Sequence, residues 1–178
     1  MMTFSKPASI LASALLVASL PSAGIAKAKP SAVADLVDAE GKSHGRAVVS
    51  ESSEGLVLEV KASGLTPGAH GLHVHGVGKC EAPDFASAGG HWNPTAHQHG
   101  HKNPQGPHGG DAPNLVADAK GKAKAKTALG AGALSGGASP LLDADGAAVV
   151  IHADADDEMT DPSGKSGKRV LCGVLKQR

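Results

Sequence analysis

The chain has 178 residues, enough for one domain of ordinary size and a short processed segment. Its 17 Lys and Arg balance 17 Asp and Glu, which removes the basic surplus expected of a nucleic-acid binder. With no Tyr, two Phe and one Trp, a core must come from Val, Leu, Ile and Ala, helped by covalent or metal cross-links.

The first stretch has the three parts of a secretory leader: Lys6, an apolar run from Ile10 to Leu20, and small residues at Ala26 and Ala28. The run is too short and too rich in Ala and Ser to span a bilayer, so no stable membrane anchor is expected. Residues 1–28 read as a cleaved signal peptide and 29–178 as one exported domain, with Ala26 as the alternative cleavage point to Ala28. Removing the leader leaves 15 Lys and Arg against 17 Asp and Glu. The only two cysteines, Cys80 and Cys172, fall in the exported part and allow one intramolecular pairing.

Beyond the leader, short alternating or β-branched runs recur between Gly, Pro, Asn and Asp. Strands are expected at Ala32 to Asp38, Arg46 to Glu51, Leu56 to Lys61, Gly71 to Val77, Leu115 to Ala119, Lys122 to Leu129, Ala147 to Ala153 and Val170 to Lys176. The pattern is that of an all-β sandwich. Within the third run, Leu56, Leu58 and Val60 share one face while Glu59 and Lys61 share the other, so one face is buried. Lys122, Lys124 and Lys126 alternate with alanines after a turn at Gly121. They read as a solvated outer face or a lysine-protected edge rather than a polyanion site. Residues 130–137 are glycine-rich and read as a connection.

Two long segments interrupt the strands. Residues 78–113 hold five histidines, and 154–168 hold five acids and two lysines; loops of such length in a compact domain are usually functional. His73 and His75, at i and i+2 on a strand, face the same way and can share one ion. His91, His99, His108 and Asp111 can complete a closed tetrahedral zinc site of three imidazoles and one carboxylate. His97 and His101 flank His99 and could substitute for it. His152, at the end of an apolar strand, could join His73 and His75, while His44 sits in a polar turn.

In the stretches HGLHVHGVG, SAGGHWNP, PHGGDAPNL, VVIHADADD and GKRVLCGVL the sequence resembles the copper/zinc superoxide dismutase family, from about Ala32 to the C-terminus. The resemblance implies an eight-stranded Greek-key β-barrel, a two-sheet sandwich, with two long functional loops. It implies one copper per subunit on His73, His75, His91 and His152, and one zinc on His91, His99, His108 and Asp111, with His91 bridging. It further implies a Cys80–Cys172 disulfide and a carboxylate behind the ligands, Asp156, joining His73 to His99, with Asp154 and Asp157 as competitors for that role. His70 matches a structural histidine.

The implied activity converts two superoxide anions and two protons to O2 and H2O2 by Cu(II)/Cu(I) cycling, with Arg169 facing the substrate and His91 carrying a proton. Such a protein would act as an antioxidant in the periplasm or as a secreted form, as a monomer or homodimer. Lys165 or Lys168 could offset the acids of the second loop and attract the substrate anion. The competing readings are a copper/zinc storage or delivery protein on the same barrel, and an immunoglobulin-type interaction domain. A degenerate relative would be expected to lose a copper ligand or the arginine, and both are kept here.

Overall fold

The computed structural model describes residues 1–3 and 29–178, so the expected leader lies almost wholly outside the described residues. Among the described residues, no helix is long and apolar enough to cross a membrane. The strands are β1 (Ser31–Val37), β2 (Ser43–Ser52), β3 (Gly55–Ala62), β4 (Gly68–His75), β5 (Asp111–Ala117), β6 (Ala123–Ala128), β7 (Ala148–His152), β8 (Arg169–Val174) and β9 (Lys176–Gln177). All pairings between them are antiparallel.

The order β2-β3-β6-β5-β4-β7-β8-β1 closes on itself because β1 also pairs with β2, giving an eight-stranded Greek-key barrel; the two-residue β9 attaches only to β1. Closure removes the free edges that an open sheet would expose. The eight expected strands are all present with shifted ends.

Alternation explains the core. Leu56, Leu58 and Val60 are at most 1 % exposed and point inward with Leu36, Val49, Leu72, Val74 and Leu115. β6 puts Ala123 and Ala125 toward this core and exposes Lys124 and Lys126. Lys122 belongs to the preceding turn, and β6 pairs with β3 over six residues and with β5 at Ala123. The lysines thus line an outer face and do not guard a free edge. The glycine-rich connection after β6 carries two fully buried anchors, Leu134 and Leu141.

β7 departs from alternation, since all five of its residues are buried. Val149 and Ile151 face the barrel core, whereas Ala148 and Val150 face a second cluster made with Phe85, Ala88 and Cys172. The loop 76–110 therefore covers the outside of β7 and β8, which explains a continuously apolar strand. Cys80 is bonded to Cys172 with Cα atoms 5.7 Å apart, fastening that loop to β8.

Candidate metal centre

The outer face of β4 presents His73 and His75 beneath the loop, both at most 1 % exposed, while Leu72 and Val74 on the other face enter the core. The end of β7 adds His152. His91 arrives from the loop, which runs beside β4: the Trp92 amide donates to the Val74 carbonyl, and His75 and His91 form an isolated bridge. The loop then returns at Gly110, whose amide donates to Trp92 and whose carbonyl accepts from Val74. Gly110 has no alternative, because a Cβ there would overlap the Val74 carbonyl. This close approach brings Asp111, the first residue of β5, beneath His91.

One ligand atom from each of His73, His75, His91 and His152 lies within 4.8 Å of the others. His73 Nδ1, His75 Nε2, His91 Nε2 and His152 Nε2 are buried and lack hydrogen-bond partners. An unpartnered buried polar atom costs about 1–3 kcal/mol, and four convergent ones with free lone pairs are the signature of a cation site. Each ring is aimed by its other nitrogen. His73 Nε2 donates to Asp156 Oδ2 at 2.7 Å, His75 Nδ1 to the Gly89 carbonyl at 2.9 Å and His152 Nδ1 to the Gly167 carbonyl at 3.2 Å.

A second set surrounds Asp111. Its Oδ1 lies 2.7, 3.1 and 3.3 Å from Nδ1 of His91, His99 and His108, and the His91 and His108 Nδ1 atoms are 3.3 Å apart. A tetrahedral ion with bonds of about 2.0–2.1 Å separates its ligands by about 3.3 Å, so these spacings fit zinc. His73 also falls within 4.8 Å of His91, His99 and Asp111, but its two nitrogens are engaged by Asp156 and the first set. Asp111 Oδ2 accepts from the amides of Gly100 and His108, both at 2.9 Å, and so holds the loop around itself. The structure brings His99 into this set, fully buried, and leaves His97 and His101 exposed.

Asp156 joins the two sets, accepting from His73 Nε2 on Oδ2 and from His99 Nε2 on Oδ1 at 3.0 Å. Neither Asp154 nor Asp157 makes such a contact; Asp157 instead caps Thr160. Two positioning residues escape sequence reasoning. Asn114 donates to the Asp156 carbonyl and accepts from the Asp156 amide, both at 2.8 Å. Asp161 accepts the His99 amide at 2.7 Å and lies 3.6 Å from His108 Nε2. Their partners stand 42 and 62 residues away in sequence, so no local pattern announces them. His70 has the structural place expected of it, linking the carbonyls of Thr66 and His152, and His44 is held by Asp38 and the Ser63 carbonyl.

Electrostatics follow the same division. Burial pushes His73 down to about 3, against the opposing pull of Asp156, and pushes His152 down to about 4. Burial also holds His75 well below its ordinary value, so these imidazoles are neutral and offer lone pairs near pH 7. His99 goes the other way: burial disfavours its charge, but Asp111 and Asp156 overcome this and raise it to about 9. Asp111 and Asp156, although burial opposes their ionisation, are held below the usual carboxylate range by their histidine partners. Within the second set positive charge is therefore favoured at His99, while burial lowers His108 below its ordinary value.

Metal-free protein should be most stable near pH 6.5. The contribution of neutral His73 and His152 is complete above their unfolded value of 6.5 and is lost as pH falls through about 4 and then 3. That of His99 is complete below 6.5 and is lost as pH rises through about 9. A melting temperature that stayed flat from pH 4 to pH 9 would contradict this assignment.

A pocket of about 420 Å³ opens beside His75, His91 and His152 and is walled by Asn93, Ser163 and Arg169. Arg169, at the start of β8, donates Nη1 to the Phe85 carbonyl and Nη2 to the Gly89 carbonyl, both at 2.7 Å. Phe85 adopts a left-handed conformation, φ 55°. The Gly89 oxygen also accepts from His75, so one carbonyl orients both the pocket arginine and a histidine of the first set.

Residues 43–175 match the family model described as copper/zinc superoxide dismutase (SODC). The chain belongs to the copper/zinc superoxide dismutase family. It is 41 % identical over 145 residues to superoxide dismutase (Cu-Zn) 1 of Aquifex aeolicus, covering 80 % of this chain and 86 % of that protein. It is 46 % identical over 143 residues to the superoxide dismutase-like protein YojM of Bacillus subtilis, covering 79 % and 73 %. Among solved structures, a SOD-like protein from Bacillus subtilis superposes with TM-score 0.77 at 44 % identity, covering 81 % of this chain and 97 % of that one. The Cu/Zn superoxide dismutase from Brucella abortus gives 0.64 at 31 %, covering 82 % and 99 %. Copper/zinc superoxide dismutases are oxidoreductases that use copper and zinc, and the two ligand sets found here suit those ions. The relatives thus include both dismutases and a dismutase-like protein.

Proposed function

We propose that this protein is an exported superoxide dismutase, carrying out 2 O2•− + 2 H+ → O2 + H2O2. The observation that supports this best is the convergence of four unpartnered imidazole nitrogens, three of them on histidines that line a pocket also holding a half-buried arginine. Nitrogen ligands suit copper, so His73 Nδ1, His75 Nε2, His91 Nε2 and His152 Nε2 are assigned to it, and His91 Nδ1, His99, His108 and Asp111 to zinc. Copper supplies a one-electron couple when bound, and zinc supplies fixed charge.

The remaining work belongs to the chain's own residues. Arg169, anchored by two carbonyls, presents positive charge to a small anion, and the pocket walls restrict what reaches it. His91 bridges the two sets: its Nδ1 is fixed beside Asp111 and its buried, unpartnered Nε2 belongs to the first set. Nε2 is thus placed to hold a proton between the half-reactions and to pass it to the reduced substrate. Asp156 and Asn114 keep His73 and His99 aligned.

The deciding experiment is superoxide consumption by the purified protein loaded with copper and zinc, beside His152→Ala. Turnover that vanishes in the variant supports the reading. A fully loaded but inactive wild-type protein would favour metal storage or delivery. Export is proposed from the leader expected in residues 1–28 and from the disulfide, which persists in oxidising compartments. Lys165 and Lys168 are exposed beside the pocket, Lys165 standing 3.9 Å from Asp157. Replacing both by Gln should lower kcat/KM and flatten its dependence on ionic strength; an unchanged salt profile would remove them from steering.

A further inference from the structure

On the outer face of β2, β3 and β6, the register sets Arg46 opposite Lys61 and Lys61 opposite Lys124. Three cations therefore stand in one row across adjacent strands, about 4.8 Å apart at the backbone. Lys126 stands in the next row opposite Glu59. Like charges directly opposite each other destabilise a sheet, and here their compensation is partial. Asp35, at the rim, accepts from Arg46 Nε and Nη2, both at 2.8 Å, and Glu59 pairs with Lys126 at 2.7 Å. Among the described residues no carboxylate forms an ion pair with Lys61 or Lys124.

These side chains border a groove of about 410 Å³ that also includes Val48 and Ala125. The whole chain is charge-balanced, so the face is a local concentration of positive charge. In the closed strand order, β3 and β6 lie across the barrel from β7 and β8, on the far side from His152 and Arg169.

We propose that this face docks the protein onto a bilayer surface bearing anionic phosphate headgroups, with Lys61 and Lys124 as the principal contacts and the metal centre turned away from the lipid. The cations spread over two rows and three adjacent strands, an extended array of positive charge that matches a field of headgroups. Lysine stems lying along Val48 leave their ammonium groups in the headgroup layer. The sequence shows the lysines of β6 and Lys61 on the outer faces of their own strands; register adds Arg46, sets the three in one row and turns separate solvated faces into a patch. The proposal is independent of the dismutase reading.

The test is co-sedimentation of the copper- and zinc-loaded protein with vesicles of phosphatidylglycerol in phosphatidylcholine, and with phosphatidylcholine alone. Binding should require the anionic lipid and disappear near 1 M salt, where the screening length falls to about 3 Å. The double variant Lys61→Gln, Lys124→Gln should bind roughly 25-fold more weakly, about fivefold for each cation lost. Its metal content and superoxide consumption should be unchanged, which separates lost docking from lost folding. Equal binding of the double variant, equal binding to neutral vesicles, or capture by soluble polyphosphate without any binding to vesicles would each overturn the proposal.

Discussion

Replacing both Cys80 and Cys172 by Ser is expected to lower the unfolding free energy of the metal-free protein by roughly 4 to 5 kcal/mol. The bond closes a loop across a sequence separation of 92, and in the chain-entropy model a loop of that length contributes this much by restricting the unfolded chain. The effect on the native state adds to it. Phe85 and Ala88 cover the outer side of β7 only while the loop is fastened there, and Phe85 and Gly89 supply both acceptors of Arg169. The melting temperature should fall by about 10 °C or more for a domain of this size, and superoxide consumption should fall more than metal content does. Calorimetry of the metal-free double variant checks the first statement. A loss of under about 1 kcal/mol would mean that the loop holds its place by packing alone.

The second large effect is expected from Gly164→Ala. Gly164 has φ +61°, and a Cβ on it would overlap the Asp156 carboxylate and stand 2.8 Å from His99 Nε2. Neither neighbour can yield cheaply. Asp156 is fixed through its backbone by Asn114 and through both oxygens by His73 and His99, and His99 is fully buried. The added methyl must break the contact that joins the two ligand sets. Loss of such a supporting contact typically costs 10–100-fold in metal affinity. Competition against a chelator should show that fall for zinc, with a smaller one for copper, whose other three ligands do not touch Asp156. Retention of zinc at wild-type affinity would show that Asp156 is dispensable for alignment.

The fold was legible where one face alone is buried. Leu56, Leu58 and Val60 alternate with charged residues, and β3 followed directly from them. β5 was harder. Sequence places its start at Leu115, after the histidine loop of residues 78–113, yet it begins at Asp111. The pairing with β4 skips at this point: His70 faces Leu115 and Leu72 faces Ala112, leaving Pro113 and Asn114 opposite Gly71 alone. A bulge is where a sheet tolerates proline, and it re-aims the residues it contains. The Asn114 that reaches Asp156 is one of them.

For the site, spacing and resemblance marked out both ligand sets, because a strand fixes the i, i+2 pair and the loop histidines recur at intervals. The resemblance implies His99, with His97 and His101 as substitutes; burial sets His99 apart from them, and three alternate histidines in a polar loop do not reveal it. Asn114 and Asp161 required the path of a second loop over the first.

The carbonyl of Gly89 holds both Arg169 and His75. Because that oxygen belongs to the main chain, no side-chain replacement can delete it. Exposed Ala86 can change identity while the distance between the cation and the imidazole stays fixed, whereas Gly89, at φ +71° with a Cβ position 2.9 Å from a Val77 methyl, holds the path of the turn. The alignment of the pocket arginine with a histidine of the first set is thus written into chain geometry, vulnerable to insertion, deletion or cleavage within the turn and to loss of the glycine that shapes it.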